Sequence, residues 1–287
     1  MLYPRSDPEV NDSYVRLASG LNVRVLSSGP ADGPQVLLIH GWGAWSYLYR
    51  HNIPALARAG WRVLAVDLKG HGLSDKPLGP GEYTSPSMTR HAVEIMEALA
   101  LGETGAAVVG QSMGGAIALD LALSRPDLVR RLVLINPVGL GRVRVMPWAR
   151  WAAMPALDPI LPHLVTRRAI AGLLHFVHGI SGHMSPHDVD EYWAPSQFPA
   201  FSRAMRALLR DFDWSTSLLD RAHALSVPTL VVLGGRDRMV SSDPKVIEQR
   251  LPPGARIVMV PLGGHVVNEE LPDEVDPALI GFLREAP

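Results

Sequence analysis

The stretch from Val108 to Gly115 constrains this chain more than any other. An apolar run ends in Gly110-Gln111-Ser112-Met113-Gly114, and an apolar helical pattern begins at once. The spacing G-x-S-x-G, set between a buried strand and a buried helix, predicts a sharp turn with a serine at its tip. Gly110 and Gly114 have no Cβ, so strand and helix can close around that serine. The hydroxyl then stands at the carboxyl edge of a sheet, where it can act as a nucleophile.

The sheet itself is legible on both sides of the turn. Continuous apolar runs occupy residues 36–39, 63–66, 106–109, 132–135, 230–233 and 257–260. Runs without alternation predict strands buried on both faces, as in a parallel sheet. Residues 14–17 and 21–26 instead alternate around Ser19-Gly20, which predicts an antiparallel hairpin at a sheet edge. Helical patterns separate most of the runs. Ser85 reads as a cap with Pro86 at the first helical position. Met88, Ala92, Ile95, Met96 and Leu99 then follow at helical spacing, and Gly102 ends the pattern. From Ala116 to Leu123 the chain is apolar all round except at Asp120, as befits a central buried helix. Strands alternating with helices predict an α/β fold with right-handed crossovers.

That alternation stops between residues 138 and 215. Trp148, Trp151, Trp193 and Trp214 all lie there, and helical patterns over residues 166–177 and 202–209 are set among prolines. We read the segment as a helical cap inserted in one sheet. The chain then divides into a first core part (1–137), the cap (138–215) and a second core part (216–287).

Composition excludes several functions. With 47% hydrophobic and 19% charged residues the chain is globular rather than disordered. A net charge of -1 argues against a nucleic-acid partner. With no cysteine, disulfides and thiolate metal sites are impossible. No apolar run reaches the ~18 residues of a membrane span, so no stable membrane insertion is expected. The first residues lack the basic and apolar regions of a signal peptide, and a cytoplasmic location is the expectation. Oligomeric state is left open.

A serine hydroxyl needs a base within reach, and the base needs an orienting acid. After a turn of this kind the expected chain order is serine, acid, histidine. Residues 230–233 run into Gly234-Gly235-Arg236-Asp237, and residues 257–260 into Pro261-Leu262-Gly263-Gly264-His265. Both loops follow strand carboxyl ends, where open α/β sheets build their sites. His265 is thus the expected base and Asp237 its acid. Asp211 and Asp213 are fallbacks, and Asn136, at the end of another strand, carries no charge. A tetrahedral oxyanion needs two fixed donors. The Met113 N–H at the start of the central helix is one. The Trp42 N–H in His40-Gly41-Trp42-Gly43 is the other, with Gly43 as its neighbour alternative. His40 and the Asp67 to Ser74 loop read as scaffold.

Metal is the rival use of histidine. His163, His175, His178, His183 and His187 crowd the cap, and His175 and His178 stand one helical turn apart. No HExxH or cysteine pair accompanies them, so no metal is expected. The Gly-rich loops fit no phosphate-binding pattern, and no cofactor is expected.

The His40–Gly43 loop, the Asp67–Ser74 loop, the Gly110–Gly114 turn, Asp237 and His265 together resemble the α/β-hydrolase superfamily, over about residues 14–283. The resemblance implies an eight-stranded, mostly parallel sheet with helices on both faces and an inserted helical cap. Epoxide hydrolases and haloalkane dehalogenases of that superfamily carry Asp where this chain has Ser112. Carbon–carbon hydrolases use serine but typically follow the catalytic histidine with Trp, where this chain has Val266. A carboxylesterase acting on a small-molecule ester is therefore the expected activity. Carbon–carbon hydrolase, lipase and slow-turnover ligand receptor are the alternatives.

Overall fold

In the computed structural model, which describes residues 2–4, 7–101, 105–145, 153–154, 165–179 and 184–285, the apolar runs pair into one eight-stranded sheet. Its strands are β1 (Asn11–Arg16), β2 (Asn22–Ser28), β3 (Gln35–Ile39), β4 (Arg62–Val66), β5 (Ala106–Gln111), β6 (Val129–Ile135), β8 (Thr229–Gly234) and β10 (Arg256–Val260). Two short strands, β7 (Arg142–Val143) and β9 (Val240–Ser241), form a separate antiparallel pair. The order across the large sheet is β1-β2-β4-β3-β5-β6-β8-β10. The β1–β2 hairpin and the β2–β4 pair are antiparallel, and the other pairs are parallel.

Successive side chains on the inner strands enter opposite cores. Leu37 and Ile39 of β3, with Val108 of β5 and Leu132 and Leu134 of β6, belong to one core. Val36, Leu38, Val109, Val133 and Ile135 belong to the other. Burial on both faces is what the unbroken apolar runs demand. The first core is closed by α2 (Ser85–Ala98) and α3 (Met113–Ser124). The second is closed by α1 (Asn52–Arg58) and the C-terminal helix α10 (Pro272–Arg284). From Met113 to Leu119 every residue of α3 is buried, as its all-round apolar sequence requires.

Three details depart from the sequence reading. Thr84, not Ser85, caps α2: its hydroxyl accepts the Ser87 N–H, which moves Ser85 inside the helix. α2 ends at Ala98, with Ala100 in the left-handed region (φ 52°), and Gly102 lies outside the described residues. β10 is not buried on both faces. As the edge strand it leaves Met259 43% exposed.

Between β6 and β8 the described chain forms β7, two short 3-10 turns and four α-helices: α4 (Arg167–Val177), α5 (Pro186–Trp193), α6 (Phe201–Asp211) and α7 (Ser217–Arg221). Thr166 caps α4 and Ser185 caps α5 through a reciprocal box with Asp188. Trp148, Trp151, His163 and His183 lie outside the described residues. Two further helices complete the second core part, α8 (Pro244–Arg250) and the single turn α9 (Val267–Glu270).

The order of β4, β3, β5 and β6 puts a switch point at the carboxyl ends of β3 and β5. The chain leaves β3 through α1 to β4 on one side and leaves β5 through α3 to β6 on the other. Open sheets of this kind hold ligands in the crevice so formed.

Candidate active site

Ser112 stands at this switch point, between β5 and α3. Its backbone lies at φ 55° and ψ -118°, a conformation that L-residues rarely adopt. Strain of this sort costs about 1–3 kcal/mol and persists only where the surroundings enforce it. Here the Ser112 N–H donates to the Ile135 carbonyl at 2.9 Å. Its own carbonyl accepts from Ala116 and Val138 at 3.2 and 3.0 Å. The flanking glycines are sterically obligatory. A Cβ on Gly110 would lie 2.3 Å from the Gly114 carbonyl oxygen, and one on Gly114 would lie 2.2 Å from that of Ile39.

The two late loops deliver the other groups. His265 Nε2 is 2.8 Å from Ser112 Oγ, and His265 Nδ1 is 2.8 Å from Asp237 Oδ2. A carboxylate only accepts, so Nδ1 carries the proton and Nε2 is free to accept from the serine hydroxyl. The side chains of His265 and Asp237 are only 7% and 5% exposed, which shields the relay from water. The second Asp237 oxygen is committed elsewhere. Oδ1 accepts the N–H groups of Met239 and Val240 at 2.7 and 2.9 Å, which fixes the carboxylate plane.

Asn136, read from sequence only as an uncharged strand end, has a positioning task. Its Nδ2 donates to the carbonyls of Gly264 and His265, each at 2.9 Å, and its Oδ1 accepts the Gly234 N–H at 2.8 Å. It thereby ties the acid loop to the histidine loop. Gln111 adds a further donor to the His265 carbonyl at 2.9 Å. Asp211 pairs with Arg210, and Asp213 accepts from Ser215 and Ser217, so neither fallback acid joins the site.

Both expected oxyanion donors border Ser112. The Met113 N–H is the first of α3, where the helix dipole favours an anion. The loop after β3 runs beside the serine, since a Cβ on Gly41 would lie 2.9 Å from Ser112 Cβ. Trp42 follows directly, with its indole N–H anchored on the Met205 carbonyl at 3.0 Å. Gly43 adopts φ 73°, in the left-handed region that favours glycine. His40 is scaffold: its Nε2 accepts the Leu68 N–H at 3.0 Å and its Nδ1 donates to the Gly41 carbonyl at 2.8 Å. Burial holds the His40 imidazole below its ordinary pKa, keeping it neutral for that acceptor role. Asp67 is likewise structural, accepting the N–H groups of Ser46 and Leu73, both at 2.9 Å.

A cavity of about 110 Å³ opens over Ser112 and His265. Ile170, Leu173, Leu174 and Val177 of α4 form one wall. Val138, Val143 and Trp214 contribute from the rest of the 138–215 segment. The polar atoms of its larger side chains face other partners. Tyr192 donates to Glu269 at 2.9 Å and Trp214 to the Leu208 carbonyl at 3.0 Å. Among the described residues the lining carries no lysine, arginine or carboxylate. No group of three or more histidine, aspartate or glutamate side chains with metal-binding geometry occurs among them either, and His178 Nδ1 meets the Leu174 carbonyl.

Residues 34–272 match the family described as alpha/beta hydrolase fold. The chain belongs to the α/β-hydrolase family. As such it is a hydrolase, and its relatives span several reactions. It is 30% identical over 267 residues to the magnesium-chelatase 30 kDa subunit of Rhodobacter capsulatus, covering 91% of this chain and 90% of that one. It is 40% identical over 145 residues to a haloalkane dehalogenase of Mycobacterium marinum, which covers 50% of this hydrolase and 48% of the dehalogenase. Among solved structures, a meta-cleavage product hydrolase (CumD, A129V mutant) superposes with a TM-score of 0.79 at 26% identity. That match covers 97% of this hydrolase and 99% of CumD. No helix among the described residues is long and apolar enough to cross a membrane.

Proposed function

We propose that this hydrolase is a carboxylesterase for small, uncharged esters with a short apolar acyl group. The observation that carries the proposal is the Ser112–His265–Asp237 relay, with both steps at 2.8 Å, beneath a cavity whose described lining carries no lysine, arginine or carboxylate. In this reading Ser112 Oγ attacks the ester carbonyl while His265 Nε2 takes its proton. The oxyanion forms against the Met113 and Trp42 N–H groups. His265 returns the proton to the departing alcohol, leaving an acyl-serine. Water, deprotonated by the same imidazole, attacks the acyl carbon, and collapse releases the acid and restores Ser112. Asp237 holds the imidazole in the tautomer that leaves Nε2 open. The segment 138–215 acts as the cap, because most of the apolar wall comes from it.

Cavity size supports the acyl class. An apolar cavity of ~150 Å³ accepts benzene, so 110 Å³ suits roughly four heavy atoms. p-Nitrophenyl esters of increasing acyl length, run beside a Ser112→Ala control, test both parts. Turnover should peak near butyrate and fall beyond hexanoate, and Ser112→Ala should lose about 10⁴–10⁶ in kcat. Undiminished turnover by Ser112→Ala would sink the assignment. The likeness to CumD favours a second reading, carbon–carbon hydrolysis of a vinylogous diketone. Turnover of such a diketone exceeding that of every ester would establish it instead.

A further inference from the structure

The chain that follows His265 turns at once into α9, and the last two residues of that turn reach in different directions. Glu269 pairs with Arg50 and accepts the Tyr192 hydroxyl of α5. Glu270 reaches back under the histidine loop. Its Oε2 accepts the Gly264 N–H at 2.7 Å, and its two oxygens accept the Gly179 N–H at 2.9 and 3.0 Å. Gly264 directly precedes His265, and Gly179 lies just past the C-terminal end of α4. A third bond joins the same two segments: the His265 N–H donates to the Val177 carbonyl at 2.7 Å.

The two main chains are in direct contact there. A Cβ on Gly264 would lie 2.3 Å from the Gly179 nitrogen, and a Cβ on Gly179 would lie 2.5 Å from the Leu262 carbonyl oxygen. No side chain fits between them, so their facing N–H groups need an acceptor from the flank. The Glu270 carboxylate supplies it to both. Its position therefore bears on two features at once. One is the loop that aims the His265 ring at Ser112. The other is the end of the helix whose Ile170, Leu173, Leu174 and Val177 wall the cavity.

We infer that Glu270 is a positioning residue whose carboxylate locks the histidine loop onto the end of α4, setting His265 and the acyl-pocket wall as one unit. The inference rests on His265 being the base, as proposed above. Oε2 receives both N–H groups and Oε1 also receives that of Gly179, so a glutamine oxygen at the Oε2 place keeps the Gly264 bond but sets its NH2 against the Gly179 N–H. An aspartate, one methylene shorter, cannot span them.

The test compares Glu270→Gln, Glu270→Asp and Glu270→Ala with wild type, using p-nitrophenyl acetate, butyrate and octanoate below each variant's melting temperature. Misplacement by about 1 Å costs roughly 100-fold in rate. Glu270→Ala and Glu270→Asp should therefore lose about 10- to 100-fold in kcat with a smaller change in KM, and their preference for butyrate over octanoate should flatten. Glu270→Gln, which keeps the Gly264 bond but opposes that of Gly179, should fall between wild type and Glu270→Ala. Amide hydrogen exchange at Gly179 and Gly264 should accelerate in the alanine and aspartate variants, whereas glutamine should speed Gly179 and leave Gly264 protected. Wild-type kcat and chain-length preference in folded Glu270→Ala would overturn the inference, as would a glutamine variant whose Gly264 amide exchanges as fast as in Glu270→Ala. The exchange readout needs no turnover. Rapid exchange at both amides in wild type refutes the lock, whereas an absence of ester turnover in wild type refutes the esterase reading alone.

Discussion

Replacing Asp237 by asparagine should leave the protein folded and nearly inactive, and the geometry says by how much. The two oxygens of Asp237 have different duties. Oδ1 accepts two backbone N–H groups, from Met239 and Val240, while Oδ2 faces His265 Nδ1. An asparagine must keep its one carbonyl oxygen toward the two N–H groups, since an amide NH2 there would set donor against donor. Its NH2 is then directed at His265 Nδ1, at the place now held by Oδ2. A donor at Nδ1 forces the ring proton onto Nε2, which faces Ser112 Oγ at 2.8 Å. The imidazole can then no longer accept the serine proton. Loss of the correct tautomer in a relay of this type lowers kcat about 10⁴-fold, or about 5.5 kcal/mol of transition-state stabilisation. Stability should hardly move, because both backbone bonds survive. The assay is kcat/KM for p-nitrophenyl butyrate at pH 7.5 beside thermal unfolding by circular dichroism. An Asp237→Asn protein within tenfold of wild-type kcat, melting at the wild-type temperature, would refute Asp237 as the orienting acid.

Two further expectations concern stability against pH. Burial keeps the imidazoles of His40, His71 and His91 below the ordinary value of 6.5, His91 at about 3. The unfolded chain takes up these protons near pH 6.5 and the folded chain does not, so stability present above pH 6.5 is lost as pH falls below it. His91 alone gives a slope of about 1.4 kcal/mol per pH unit between 6.5 and 3, and a melting temperature unchanged from pH 7 to pH 5 would contradict this. Asp276 behaves oppositely: burial raises its pKa from 3.8 to about 6, so its contribution is full below pH 3.8 and lost as pH rises through 6. Asp276→Asn keeps an acceptor for Asn52 Nδ2 and should raise the melting temperature by about 2–4 °C at pH 8 but not at pH 4, after allowing for partial solvent screening. A variant that melts lower than wild type at pH 8 would show that the ionised carboxylate is not the destabilising group.

The parts of this molecule legible in its sequence are those set by short-range pattern. Unbroken apolar runs mark the inner strands because those strands are buried on both faces. The turn at Ser112 is legible because its glycines answer to clashes with the Ile39 and Gly114 carbonyls, which no other residue avoids. Asp237 and His265 are legible as loop residues because both follow such strands. Helix α5 is hard to read although Ser185 and Asp188 form a capping box, since its apolar stripe reduces to Val189 and Tyr192. Strands β7 and β9, of two residues each, are shorter than any period. The tasks of Asn136 and Glu270 are illegible for a different reason. Both residues act on backbone groups distant along the chain, such as Gly264 for Asn136 and Gly179 for Glu270, and no local pattern encodes that choice.

The join between α4 and the histidine loop also bears on how such a molecule can diversify. On the helix side, among the described residues, the join is made by the main chain, through the Val177 carbonyl and the Gly179 N–H. Gly179 is restricted in residue type there, by the absence of room for a Cβ. Ile170, Leu173 and Leu174 can therefore change without disturbing the attachment. Selection, or a designer, can redraw the cavity wall by exchanging those residues while the aim of His265 stays put.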